Sequence, residues 1–202
     1  MLWEFVIKGG PLMIPLALCS VLTLVFGIER SWHYLRAGRD GGAPDRIHAL
    51  IEGGEADQAM ALASASAGPV AAVLAEGLRH RGEDRDMLEE AVSLRGAAEL
   101  ERLNRHLHVL ELVGRLAPLL GLLGTVLGMV AAFRQVAGAR GAVEPSLLAG
   151  GIWEALLTTV AGLSVAIPAM VLHHLFENKV RSFAYRMKHY GMEAAKHLGL
   201  RA

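Results

Sequence analysis

Charge and apolarity are unevenly spread along the chain, and three stretches are nearly free of charge. The first runs from Gly9 to Ile28 (GGPLMIPLALCSVLTLVFGI), bracketed by Lys8 and Glu29. The second lies between Arg115 and Arg134 (LAPLLGLLGTVLGMVAAF). The third follows Glu144 and Pro145 and ends near Phe176, with Glu154 its single formally charged residue. A helix rises ~1.5 Å per residue, so about twenty apolar residues cross a hydrocarbon layer of about 30 Å. The pattern predicts an all-α membrane protein with three transmembrane helices. The second run is slightly short, and its flanking arginines are expected to snorkel to the interfaces. A cleaved secretory leader is the rival reading of the first run. That run is too long for one, only Lys8 precedes it, and Leu18 is bulky where a small residue is needed before Cys19.

Between the first two runs the pattern becomes amphipathic. Gly38 to Pro44 breaks the chain, and short helices are expected over Asp45–Glu52, Glu55–Ser64 and Pro69–Arg81. From Asp84, apolar Met87, Leu88, Ala91, Leu94, Ala98, Leu100, Leu103, Leu107, Leu110 and Val113 recur at helical spacing. With no strong breaker before Pro118, one long helix is expected to run on into the second span. The third span is expected to continue through Glu177, Asn178 and Lys179 to about Leu198. Such extensions bury their apolar faces against each other, as in a helical bundle. The expected divisions are 1–29 with the first span, 30–115 as a cytoplasmic helical region and 116–134 as the second span. A short periplasmic loop at 135–146, the third span at 147–176 and a cytoplasmic helix at 177–202 complete the chain.

Charge sets the orientation. Arg30, Arg36 and Arg39 follow the first run, and Arg102, Arg105 and Arg115 precede the second. Lys179, Arg181, Arg186 and Lys188 follow the third, whereas the opposite side offers only Lys8, Arg134 and Arg140. The positive-inside rule then puts the amino terminus in the periplasm and the carboxyl terminus in the cytoplasm. Of 202 residues, 53% are hydrophobic and 20% charged, with zero net charge, so no global basic field points to nucleic acid. The single cysteine, Cys19, has no intrachain partner and no metal-ligand spacing around it.

Candidate chemistry lies within the spans. Gly121, Gly124, Thr125 and Gly128 share one helix face, and Ala155, Thr159, Gly162 and Ala166 form a stripe on another helix. Small residues let helices approach closely in lipid, which accounts for both stripes as packing surfaces. Packing alone does not require the hydroxyl that each stripe carries at mid-membrane depth. Glu154 needs its own explanation, because an ionised carboxylate in hydrocarbon costs at least ~2.5 kcal/mol. It is either hydrated near the outer interface or directed at a neighbouring subunit or a pore mouth. From a straight helix it cannot share a narrow pore with Thr159, five residues and about 140° away. Pro168 predicts a kink in the third span, and Pro118 marks the second. Threonine does not titrate near neutral pH, and the second span has no carboxylate. If the chain conducts protons, the titrating group at mid-depth must come from another polypeptide.

These segments resemble the MotA/TolQ/ExbB proton channel family. Leu116–Phe133, Gly150–Val171 and the early Gly9–Trp32 carry the resemblance, and the paired GLLGTVLG and EALLTTVAGLSVAIP segments make it specific. Three spans and the short length look more like ExbB or TolQ than MotA. The resemblance implies a homopentamer around a central pore lined by the second and third spans. It implies an ExbD/TolR-like single-span partner whose membrane aspartate carries the proton. It further implies that the proton-motive force is passed to a TonB- or TolA-like protein from the bacterial inner membrane. The pore threonines of the family match Thr125 and Thr159, and its membrane glutamate matches Glu154. An additional threonine, Thr158, departs from the pattern, and the TonB-type or Tol-type assignment stays open. His173 and His174 are expected at the interface, His106 and His108 on a helix surface, and Cys19 and Met170 in packing. No phosphate loop or Ser/His/Asp spacing suggests an enzyme, and no cofactor is expected. A non-conducting oligomeric scaffold is the alternative function.

Overall fold

The protein is represented by a computed structural model that describes residues 10–38, 42–138 and 145–199. Lys8, Arg39, Arg140 and Glu144, used above for orientation and span limits, lie outside the described residues. Seven helices are described: α1 (Met13–Ala37), α2 (Ala43–Glu52), α3 (Ala56–Ala65), α4 (Pro69–Arg79), α5 (Arg85–Asn104), α6 (Leu107–Gly138) and α7 (Pro145–Gly199). No strand occurs among the described residues. Helices α1, α6 and α7 are long and apolar enough to cross a membrane.

The chain divides into two compact units, Met1–Glu29 with His106–His174, and Arg30–Arg105 with Leu175–Ala202. The first unit has a thin core of Met13, Leu16, Val113, Ala117, Ala166 and Ala169. Its large apolar side chains point outwards instead: Ile14, Leu18 and Leu24 on α1, Leu119, Leu122 and Val130 on α6, and Val160 and Ile167 on α7 are all more than half exposed. Water would penalise that arrangement heavily, whereas lipid tails do not. In lipid the small residues gain more at the helix contacts, because they let backbones approach.

The second unit is built the opposite way. Ile47, Leu74 and Leu88 are fully buried, together with Phe176, Val180, Phe183 and Met187 from the distal half of α7. Pro44 and Pro69 sit in the first turns of α2 and α4, where a missing N–H costs no helical bond. Asp84 caps α5 by accepting from the Arg85 N–H at 2.9 Å.

The three short helices fall where glycine, proline and apolar spacing placed them, within two residues at each end. Helix α7 runs unbroken through Pro168 to Gly199, and Pro118 lies inside α6. The expected single helix from Asp84 into the second span is corrected. It breaks between α5 and α6, where Arg105 is extended (φ −52°, ψ 131°) and His106 is left-handed at φ +66°. Apolar spacing continues in phase across the break, so periodicity cannot register it. Tertiary contacts do. The Tyr34 hydroxyl donates to the Leu103 carbonyl at 2.7 Å, satisfying a last-turn acceptor. His106 lies beside the Phe26 ring, with Nδ1 3.3 Å from Glu29 Oε2. His106 is therefore half-buried at a helix break and not on a helix surface, whereas His108 is exposed.

Candidate functional site: a threonine cluster on a glycine seam

Within the first unit, α6 and α7 pack antiparallel along a seam of small residues. Added methyl groups show how close they are. A Cβ on Gly128 would lie 2.9 Å from Ala155 Cβ, and one on Gly162 would lie 2.6 Å from the Ala117 carbonyl oxygen. A Cβ on Gly121 would lie 3.1 Å from Thr159 Cα, and one on Gly124 would lie 2.6 Å from Thr158 Cβ. Gly121, Gly124, Gly128, Ala155 and Gly162 therefore make the helix pair, and Ala166 is buried in the same core as Val113 and Ala117. Met170 lies over Gly114 on the same seam.

The centre of the seam on α7 passes through Thr158, which is 2% exposed. The spacing Ala155, Thr159, Gly162, Ala166 predicts Thr159 on that line instead. Ala155, Thr158, Gly162, Ala166 and Ala169 recur at steps of three and four and are all buried, so the signal was legible. Thr159 is one residue aside, half-buried at the seam edge, and Thr125 occupies the same edge of α6.

There the two hydroxyls meet, with Thr125 Oγ1 2.5 Å from Thr159 Oγ1. Both also lie within reach of the Gly121 carbonyl oxygen, at 3.0 Å from Thr125 and 3.1 Å from Thr159. Each hydroxyl has one proton and two lone pairs. One threonine must donate to Gly121 and the other to its neighbour's oxygen, in either of two directions. Both protons are then used inside the cluster, and the pair offers only lone pairs outwards. It can accept from a neutral carboxylic acid as it stands. It can serve a carboxylate only by turning one of these protons outwards, from the neighbouring oxygen or from Gly121. Beside Thr125 an apolar groove of about 740 Å³ runs along α6, lined by Leu122, Val126, Met129, Val130 and Phe133.

Glu154 sits apart from this cluster. It is exposed on α7, with its Oε1 3.1 Å from where a Cβ on Gly10 would stand. Gly10 is left-handed (φ +71°) and its carbonyl accepts from the Met13 N–H in the turn that starts α1. The positive end of that helix favours a carboxylate. His173 is half-buried, His174 is exposed, and Cys19 is half-buried against the core of the first unit. Among the described residues no three metal-ligating side chains cluster.

Three membrane-capable helices, two of them joined along a glycine seam that carries a hydroxyl cluster, define a multi-span helical membrane protein. The pattern of the MotA/TolQ/ExbB proton channel family matches residues 65–189, and the chain belongs to that family. It is 34% identical over 160 residues to biopolymer transport protein exbB1 of Vibrio cholerae serotype O1, covering 77% of this chain and 70% of that one. A putative ExbB-like biopolymer transport protein of Synechocystis is 35% identical over 82% of this chain and 66% of its own. A putative ExbB homologue of Methanothermobacter thermautotrophicus is 30% identical over 86% of this chain and 62% of its own. The chain thus spans roughly two thirds of the length of these relatives. It is a multi-pass membrane protein of the ExbB/TolQ-like type.

Proposed function

We propose that the chain is the proton-conducting stator subunit of an inner-membrane motor complex. Several copies, five by family resemblance, surround a pore entered by an ExbD/TolR-like single-span partner with a membrane aspartate. The partner's carboxyl group is protonated and released beside Thr125 and Thr159, with Glu154 near one mouth of the pore. The resulting motion drives a TonB- or TolA-like protein. The amino terminus is periplasmic and the carboxyl terminus cytoplasmic, in line with the loop arginines and lysines. Pro118 and Pro168 supply bends in the pore helices.

The carrying observation is the Thr125–Thr159 pair. Two hydroxyls share one carbonyl at the edge of a seam that needs no hydroxyl, beside an apolar groove. A group with lone pairs to offer and no titration of its own suits a visiting acid. The test is proton flux across liposomes holding this chain with and without the single-span acidic protein. Thr159→Ala is expected to lower partner-dependent flux at least about tenfold, the cost of a lost hydrogen bond to a charged group, with oligomer size unchanged. Undiminished flux would refute the pore role.

The glycine seam favours the second reading, a non-conducting scaffold, under which Thr125→Ala and Thr159→Ala are silent. Gly128→Leu does not separate the two readings. Ala155 fills the space that its side chain would need, so the helix pair suffers under both.

A further inference from the structure

Thr158 stands outside the threonine pair, yet its hydroxyl reaches the same acceptor. Its Oγ1 lies 2.7 Å from the Ala155 carbonyl oxygen and 3.3 Å from that of Gly121. It has one proton to give, and both acceptors are reachable by rotating the O–H bond alone. The backbone ladder separately supplies each carbonyl with the N–H four residues on.

The cluster has a shortage of donors at one moment only. While the visiting carboxyl is neutral, it donates to the pair, and both threonine protons remain inside. Once it ionises it needs donors: the threonine bonded to its neighbour can turn its proton outwards, whereas the other can do so only by abandoning the Gly121 carbonyl. We propose that Thr158 is the positioning residue of the pair. Its buried hydroxyl turns from Ala155 to Gly121 and so frees the second pore hydroxyl, the one held by that carbonyl, to donate to a carboxylate. Thr158 touches no visiting group; it acts through Gly121. The inference rests on the conduction reading and names the residue that balances the site between its neutral and charged visitors.

A packing role for Thr158 makes a different prediction, because its side chain also fills the space above Gly124. Thr158→Val keeps the branched shape and removes the donor, whereas Thr158→Ser keeps the donor and removes the methyl. Both variants are measured in liposomes with the single-span acidic partner, following proton flux against pH and the infrared band of the neutral carboxyl group. In Thr158→Val, flux is expected to fall about fivefold, the equivalent of one neutral hydrogen bond. The carboxyl should stay protonated to a pH higher by roughly half to one unit, because only its charged form has lost a donor. Thr158→Ser is expected to keep the wild-type pH profile. If Thr158→Val does not assemble, Thr158→Ala carries the same expectation. A wild-type profile in the donor-less variant, or an equal shift in Thr158→Ser, overturns the proposal. Loss of flux in Thr159→Ala with Thr158→Val unchanged refutes this inference alone, whereas undiminished flux in Thr159→Ala refutes the conduction reading as well.

Discussion

At the scale of the residue, the informative positions are those whose side chains satisfy or contest a particular atom. Gly121 matters for its carbonyl as much as for its missing side chain, since three hydroxyls lie within hydrogen-bond reach of it. His80 is another such position, away from the spans. Its Nδ1 lies 3.0 Å from Glu83 and its Nε2 3.4 Å from Glu76. The hydrogen bond to Glu83, and then the two negative charges, hold the imidazole above its ordinary pKa. A raised folded-state value means that the stabilisation is fully present below the unfolded pKa of about 6.5 and is lost as pH rises through the folded one. NMR titration of His80 should show a midpoint above the ordinary imidazole range, and Glu83→Gln should return it towards that range. An unshifted wild-type midpoint would count against the pairing.

At the scale of the element, space decides what a helix tolerates. Gly124→Ala would drive a methyl into Thr158 at the centre of the seam, and overpacking of this kind costs about 1–3 kcal/mol. Gly96, inside α5, has nothing within 4 Å of an added Cβ, so Gly96→Ala is expected to stabilise by about 0.5–1 kcal/mol. Thermal denaturation of the two variants should therefore move in opposite directions. The α5–α6 break allows a related test. At φ +66°, His106→Gly should be tolerated, while the β-branched His106→Ile should lose about 1–2 kcal/mol from left-handed strain. Equal midpoints for those two substitutions would show that the left-handed turn does not persist in the membrane.

At the scale of the whole molecule, two compact units obey opposite solvent rules. One turns many large apolar side chains of its helices outwards; the other closes Ile47, Leu74, Leu78 and Leu88 into a core. The expected topology places the second unit in the cytoplasm. With Cys19 replaced by serine, Ser182→Cys on the exposed face of α7 should resist an impermeant thiol reagent in intact cells and react after lysis. Labelling of intact cells would invert the orientation drawn from the arginine and lysine pattern.

How much was legible depends on the kind of information each feature carries. Charge-free runs, glycine punctuation and apolar spacing are local properties, and they determined three membrane-capable helices, the three short helices and the two small-residue stripes. Thr125 and Thr159 were also visible, because a hydroxyl among glycines and alanines departs from what packing requires. Only the tertiary structure decided which threonine lies at the seam centre. That choice depends on the rotation of α7 against α6, and a one-residue difference at 100° per residue separates buried Thr158 from edge-lying Thr159. It also decided the break at His106, held by Tyr34 and Glu29 from a distant part of the chain. Periodicity records which positions share a face; the hydrogen bonds that end a helix or join two hydroxyls depend on atoms that only folding brings together.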